Sequence, residues 1–188
     1  MKKVILVTGP RTALKSTVSR NLQSDLGIMV YQFDEIKKII TGLDTEAKKE
    51  KPKYFQMITA DLINKLIVDT LAVHEYVILE MTYHEAYYFR LVSLCNDHGF
   101  ELITVFMTGD PDVLYERYLK RVKYSFPKDE EEVLDVLAFR DTMMPIKDTY
   151  DQTNILTVDT TTFGDQDYII LMHQIVDKLE WTLSDSSI

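Results

Sequence analysis

The stretch from residue 4 to residue 17, VILVTGPRTALKST, constrains the fold more than any other part of the chain. It begins with a short apolar run rich in β-branched residues, continues through a turn, and ends in residues suited to a helix start. The pattern of a phosphate-binding loop is a Gly, four residues, and then Gly-Lys-Ser/Thr. Gly9, Lys15 and Ser16 occupy their places in this pattern, whereas Leu14 stands in place of the second Gly. The stretch predicts a strand, a phosphate-binding loop with one departure, and a helix.

Backbone geometry explains why such a loop binds phosphates. Successive N–H groups turn inward and meet the positive end of the following helix, so a phosphate finds donors and a favourable dipole together. Lys15 would reach the β- and γ-phosphates, and the Ser16 hydroxyl would bind a magnesium ion that keeps several waters. If the second Gly position requires a left-handed conformation, Leu14 costs about 1–2 kcal/mol there. The loop residues expected to contact the nucleotide are Gly9, Arg11, Thr12, Ala13, Leu14, Lys15, Ser16 and Thr17.

An ordinary strand followed by a capped helix, with Lys15 merely in its first turn, is the alternative for this stretch. Two acidic residues elsewhere favour the functional interpretation, because each follows an apolar run at a predicted strand end. Asp34 follows the strand predicted over 28–33, and Glu80 closes the strand predicted over 76–80. Ligands of open parallel sheets bind outside those strand ends. Asp34 is therefore the candidate general base, with Glu35 as the fallback and a helix N-cap as the alternative role.

Glu80 ends a run with the shape of a Walker B strand, in which the carboxylate holds magnesium directly or through water. Because Glu is longer than the usual Asp, contact with the acceptor is an equally open role, and an ordinary strand-end acid is the alternative. Ser16 and Glu80 are thus the candidate metal residues.

Arg117 and Arg121 lie four residues apart on a helix predicted to start at Asp110-Pro111, so they share one face. Two like charges on one face are mildly unfavourable without an anion, which favours phosphate contact for at least one of them. A solvated pair with Glu116 as neighbour is the alternative. The second-rank basic candidates are Lys120, Lys123 and Arg140.

Length and composition indicate the number of domains, the class of partner and the cellular compartment. The 188 residues suit one domain spanning 1–188, and the net charge of −9 disfavours a long nucleic acid as partner. Cys95 is the single cysteine and is expected in a helix core, and no run of 18 apolar residues occurs, so we expect a soluble cytoplasmic protein. The polar stretch 42–53 is expected to be a mobile loop on the acceptor side, and 122–130 the tip of a lid.

Two other sequence patterns give weaker indications of function. His84-Glu85 does not form a metalloprotease motif, because the fourth residue after His84 is Tyr88. The aromatic residues of the same segment could stack on a ring of the acceptor, although core packing on a helix is the simpler interpretation. Those aromatic residues are Tyr83, Tyr87, Tyr88 and Phe89.

With its loop, its strand-end acids and its arginine pair, the chain resembles the P-loop small-molecule kinases. This group holds adenylate-kinase-like enzymes, kinase domains related to polynucleotide 5′-kinase, chloramphenicol phosphotransferase and zeta toxins. The resemblance covers nearly the whole chain in its order of elements, but only the loop and a few later positions are specific. It implies a three-layer α/β P-loop NTPase fold with a mainly parallel five-stranded sheet of order 2-3-1-4-5, helices on both faces, and a small helical lid.

The resemblance also implies an activity, namely transfer of the ATP γ-phosphoryl group to a hydroxyl of a small molecule, with ATP and Mg²⁺ bound. Asp34 would take the acceptor proton, one of Arg117 and Arg121 would brace the lid or adenine side while the other neutralises the transferring charge, and the loop at Thr160 would border the adenine. Two alternatives stay open. One is a catalytically degenerate nucleotide-binding module, because of Leu14, and the other is a zeta-toxin-like kinase with an antitoxin partner.

Overall fold

The computed structural model of the protein describes residues 1–42, 52–124, 133–142 and 154–180. The strands are β1 (Lys3–Thr8), β2 (Val30–Gln32), β3 (Tyr76–Glu80), β4 (Glu101–Thr108) and β5 (Ile155–Asp159). The helices of the described part are α1 (Lys15–Leu26), α2 (Phe33–Gly42), α3 (Pro52–Val73), α4 (Glu85–His98), α5 (Pro111–Tyr124), α6 (Val136–Asp141) and α7 (Asp165–Leu179).

The five strands form one sheet of order β2-β3-β1-β4-β5, and every neighbouring pair is parallel. This order confirms the predicted 2-3-1-4-5 arrangement. β1 lies at the centre, where all six of its residues are buried. Because successive side chains of a strand point to opposite faces, Val4 and Leu6 belong to a core with α3 and α4, whereas Ile5 and Val7 belong to a second core with α1, α5 and α7.

The central strand places the loop at residues 9–14 over the middle of the sheet, at the carboxyl ends of the strands. The three layers confirm the predicted α/β fold class. Of the helices described here, none, the 22-residue α3 included, is both long enough and apolar enough to cross a lipid bilayer.

Two predicted segments have other bounds in the structure. The strand predicted over 28–33 is shorter, since β2 ends at Gln32 and Phe33 turns inward against the core to begin α2. β2 is an edge strand that pairs only with β3, so it has few ladder hydrogen bonds to extend it. The predicted loop 42–53 is also too long, because Gly42 ends α2 and Pro52 already begins α3.

Other predictions fall partly outside the described residues. Of the predicted lid tip, residues 122–124 are the last turn of α5, and 125–130 lie outside. The acidic run that begins at Asp129 predicts a helix through about Met144, of which the structure describes α6, with Asp135 as its N-cap. Trp181, which is predicted to pack at the end of the last helix, lies outside the described residues.

A buried ion pair fixes the start of the central strand. The Lys3 ammonium group, 3% exposed, lies 3.0 Å from the Glu101 carboxylate and donates a 2.7 Å hydrogen bond to the Lys178 carbonyl at the end of α7. Asn154 donates to the same carboxylate. Burial tends to raise the pKa of Glu101, but the hydrogen bonds from Lys3 and Asn154 outweigh it and lower that pKa below its usual range.

We expect Lys3→Met to lower the free energy of unfolding by about 3 kcal/mol at neutral pH, because it leaves the Glu101 carboxylate without its cation. Chemical denaturation measures this loss. Lys65→Met is the matched control, since Lys65 forms an exposed pair with Asp69 on α3, and it should change stability by less than about 1 kcal/mol.

The loss should also depend on pH. Because the Glu101 pKa is lowered in the folded state, its stabilising contribution is present above the unfolded pKa and disappears as the pH falls through the folded pKa. The difference between wild type and Lys3→Met should therefore shrink in acid. A difference that stays constant down to pH 2–3 would contradict this assignment.

Candidate active site

The site is built where three neighbouring strands end. In the sheet register Glu80 lies opposite Val7 of β1 on one side and opposite Gln32 of β2 on the other. The loop that follows β1 and the helix that follows β2 therefore begin beside the same carboxylate. This is the edge of a parallel sheet at which ligands bind.

Close packing against β4 requires a glycine at the start of the loop. Gly9 has φ +141°, and a Cβ built there would lie 2.0 Å from the Met107 carbonyl oxygen. On the opposite side the Gly9 carbonyl accepts a hydrogen bond from the Tyr83 N–H at 3.4 Å. Any side chain at Gly9 would displace the strand that positions the loop.

Leu14 adopts the left-handed conformation, with φ 57° and ψ 14°, directly before α1. The second Gly position of the motif therefore has the left-handed conformation in this protein. This conformation costs a residue with a Cβ about 1–2 kcal/mol. Thr12 is left-handed too, with φ 62°, and its hydroxyl donates to the Leu114 carbonyl of α5 at 2.7 Å. The loop keeps the shape that a second Gly would allow, without that Gly.

Lys15 reaches back across the loop. Its ammonium group donates a 2.6 Å hydrogen bond to the Pro10 carbonyl, and the residue is 6% exposed. Burial lowers the pKa of Lys15 to about 8, although the nearby carboxylates of Glu80 and Asp34 oppose that shift. A buried cation with few compensating partners binds an anion favourably, because the anion replaces the lost solvation.

Glu80 faces the first turn of α1. Its Oε2 atom accepts hydrogen bonds from the Ser16 hydroxyl at 3.3 Å and from the Gln32 amide at 3.4 Å. Burial raises the pKa of Glu80, and Asp34 raises it further, while Lys15 acts in the opposite direction. Binding of a cation beside such a buried carboxylate would stabilise its anionic form.

Magnesium prefers oxygen ligands and usually keeps several waters, with one or two carboxylates and substrate phosphates as the other ligands. A hydroxyl and a carboxylate oxygen next to the phosphate loop fit that requirement. Nowhere in the described ranges do three or more His, Cys, Asp or Glu side chains cluster as a metal site, so a metal held by the protein alone is not indicated there.

Asp34 and Glu35 both lie in the first turn of α2, one residue further into a helix than the sequence suggested. The Glu35 carboxylate pairs with Lys38 at 2.8 Å, and this hydrogen bond lowers its pKa. Asp34 is exposed, and no hydrogen bond or ion pair engages it among the residues that the structure describes. Its charge acts on both Lys15 and Glu80, so the structure brings it to the site.

The two arginines of α5 have different surroundings. Arg117 donates to the carbonyls of Thr160 and Thr161 at 2.8 and 3.1 Å, which ties α5 to the loop after β5. Arg121, one turn further, acts electrostatically on Lys15 and on Glu35. Arg121 therefore lies at the loop and α2, whereas Arg117 lies at the loop after β5.

Thr160 is fully buried, and both its N–H and its hydroxyl donate to the Thr108 carbonyl, at 2.8 and 2.7 Å. Gly109 allows this approach, because a Cβ there would lie 3.1 Å from the Thr160 hydroxyl. The Thr160 hydroxyl is therefore held by β4 and not directed at a ligand.

Other candidates are placed elsewhere. Arg140 pairs with Asp112 and Arg90 with Asp61, both on the surface, while Lys120 and Lys123 are exposed on α5. Cys95 is buried in the core on α4, as predicted, and this burial raises its pKa to about 12.

The aromatic residues of the 83–89 segment divide between core and surface. Tyr88 is buried, as expected of a core residue, whereas Phe89 is half exposed. The Tyr87 ring contacts the rings of Phe33 and His84 in tilted arrangements, at centroid distances of 5.2 and 4.5 Å.

Sequence reasoning missed Gln32 and Arg20. Gln32 is next to Glu80 only because of the β2–β3 register, and the Arg20 guanidinium donates to the side-chain amide oxygen of Gln32 at 3.5 Å. The one available signal was position, since Gln32 ends a strand beside the Glu80 strand.

A central strand, a phosphate-binding loop and a helix in a sheet of this order define the P-loop NTPase class. The family model described as "AAA domain" matches residues 5–135, well over half of the chain, and the protein belongs to this family. Among curated proteins, none matches the chain significantly.

Solved structures with the same fold include a candidate kinase from Chloroflexus aurantiacus, with a TM-score of 0.76, 19% identity, and coverage of 95% of this chain and 96% of that one. A gluconokinase from Sinorhizobium meliloti gives a TM-score of 0.63, 15% identity, and coverage of 95% of each chain. A shikimate kinase from Bacteroides thetaiotaomicron gives 0.61, 15% identity, and coverage of 95% and 99%. At these identities the likeness establishes the fold.

The strain at Leu14 can be measured with two truncations. We expect Leu14→Gly to be more stable than Leu14→Ala by about 1 kcal/mol, because both remove the side chain but only Gly adopts φ 57° without a Cβ penalty. Thermal and chemical denaturation of the two variants measure the difference. Equal stability of the two would show that Leu14 is not strained.

Proposed function

We propose that this protein transfers the γ-phosphoryl group of ATP to an alcohol group of a small molecule. The observation that carries this proposal is the surroundings of Lys15, whose buried ammonium group lies in a phosphate-binding loop under the combined charges of Glu80, Asp34 and Arg121. Phosphoryl transfer needs positioning and charge stabilisation more than covalent chemistry, and these groups supply both. The structural neighbours include kinases that act on gluconate and shikimate, which supports the same reaction class.

ATP would bind along the loop from Gly9 to Thr17. The backbone amides and the helix dipole would hold the phosphates, and the Lys15 ammonium group would exchange its bond to the Pro10 carbonyl for the β- and γ-phosphate oxygens. Arg117 would support the adenine side through its bonds to the loop at Thr160, whose backbone would border the base.

Charge on the transferring group would be stabilised from the opposite side by Arg121. Arginine suits this role because it stays charged and can donate two parallel hydrogen bonds to phosphate oxygens. The Ser16 hydroxyl and the Glu80 carboxylate would hold magnesium. Such an ion would supply neutralisation of the phosphate charge.

Asp34 would accept the proton of the attacking hydroxyl. Its carboxylate is exposed on the first turn of α2, it is not engaged by a described cation, and its charge reaches both Lys15 and Glu80. Glu35 is less suited, because Lys38 already holds its carboxylate. The acceptor would be a small molecule, since the net charge of −9 disfavours a polyanion such as nucleic acid.

We expect Asp34→Asn to lower kcat about 100- to 1,000-fold while the affinity for nucleotide stays within about twofold, because the amide keeps the shape of the side chain but cannot take a proton. The measurement is mass-spectrometric detection of phosphorylated product with a panel of sugars, polyol acids, nucleosides and amino alcohols. Glu35→Gln is the matched control and should retain most of the activity.

Two results would count against this mechanism. An Asp34→Asn variant as active as wild type would remove Asp34 from the reaction. Nucleotide binding without transfer to any member of the panel would instead favour the nucleotide-binding module without catalysis.

A further inference from the structure

Gln32 is the last residue of β2, and neither the loop motif nor the strand-end acids gave it a role. Its side chain lies between two charged groups from different elements. The amide nitrogen donates to the Glu80 Oε2 atom at 3.4 Å, and the amide oxygen accepts from the Arg20 guanidinium at 3.5 Å. Gln32 therefore connects α1 to the end of β3.

The orientation of this amide follows from the chemistry of its neighbours. A guanidinium group only donates hydrogen bonds and a carboxylate only accepts them. The Gln32 oxygen must therefore face Arg20 and its NH₂ group must face Glu80. The reverse orientation would place the amide oxygen against the Glu80 carboxylate and the NH₂ group against the guanidinium.

The same Glu80 oxygen also accepts the Ser16 hydroxyl at 3.3 Å. Two donors on one oxygen, one from β2 and one from α1, hold that oxygen between Gln32 and Ser16. A glutamate needs such support more than an aspartate would, because its longer side chain has an additional rotatable bond. Gln32 lies directly opposite Glu80 in the sheet, so it can hold the carboxylate toward Ser16.

We propose that Gln32, oriented by Arg20, is a positioning residue that holds the Glu80 carboxylate beside Ser16 for the binding of a divalent cation with the nucleotide. This inference rests on the proposed function, since it assigns a support to the metal residues of that site. Gln32 itself does not touch the reacting atoms. Loss of the Gln32 side chain should weaken cation binding more than nucleotide binding.

The test measures cation and nucleotide binding separately on the full chain. A non-hydrolysable ATP analogue is titrated by calorimetry without divalent cation, and Mn²⁺ is then titrated into the complex and followed by its electron paramagnetic resonance signal. We expect Gln32→Leu to weaken Mn²⁺ binding about 10-fold, the lower end of the effect of residues that orient metal ligands, with nucleotide affinity within twofold.

Two further variants separate positioning from general damage. Arg20→Leu should weaken Mn²⁺ binding less than Gln32→Leu, and the double variant should bind Mn²⁺ as Gln32→Leu does, because Arg20 acts through Gln32. Gln23→Leu is the matched control, since Gln23 is exposed on α1 near its carboxyl end, and it should leave Mn²⁺ binding unchanged. If Gln32→Leu is unstable, Gln32→Met keeps the length of the side chain and serves in its place.

Three outcomes decide the matter. Mn²⁺ binding that is weakened most in the Gln32 variants, less in Arg20→Leu and not at all in Gln23→Leu supports the positioning role. Unchanged Mn²⁺ binding in a folded Gln32 variant overturns it while the proposed function stands. A wild-type protein that binds neither the analogue nor Mn²⁺ with it overturns both.

Discussion

The buried ammonium group of Lys15 is the charge on which the site depends. Taking a cation out of water is costly, and the hydrogen bond to the Pro10 carbonyl compensates only part of that cost. Carboxylates from other elements, Glu80 at the end of β3 and Asp34 at the start of α2, offset a further part, and burial still lowers the pKa of Lys15 to about 8. The strand order brings these carboxylates close to Lys15, because β1 lies next to β3 and β3 lies next to β2. The same surroundings that tolerate a buried cation also favour a bound phosphate.

Contacts with β4 and α5 hold the loop that carries this lysine. Gly9 packs on the Met107 carbonyl with no room for a side chain, and Thr12 is bonded to the Leu114 carbonyl of α5. Thr12 and Leu14 both have positive φ. Left-handed residues with side chains persist only where the surroundings over-determine them, and they concentrate at functional sites. Contacts with β4 and α5 therefore stabilise a loop conformation that its own sequence does not favour.

Much of the fold could be predicted from the sequence. The apolar runs at 4–7, 76–80, 100–107 and 155–158 predict β1, β3, β4 and β5 to within one residue at each end, and the resemblance to P-loop kinases predicts the strand order. The edge strand β2 was predicted too long, because an apolar run does not reveal where Phe33 turns into a helix. The contacts of Gln32 with Glu80, and of Arg117 with the carbonyls at Thr160, could not be predicted, since they depend on strand register and on backbone atoms of distant segments. Residue type and spacing predict candidate chemistry, but sheet register decides which candidates meet.

The most direct measurement is a calorimetric titration of the purified protein with a non-hydrolysable ATP analogue and magnesium, repeated on Lys15→Ala and on Lys65→Ala. We expect wild type and Lys65→Ala to bind alike, because Lys65 is exposed on α3, and Lys15→Ala to bind at least about 30-fold more weakly, the loss typical of a charge-assisted hydrogen bond. Absence of binding by folded wild-type protein, with guanine nucleotide analogues tested as well, would contradict a working phosphate loop. So would undiminished binding by Lys15→Ala.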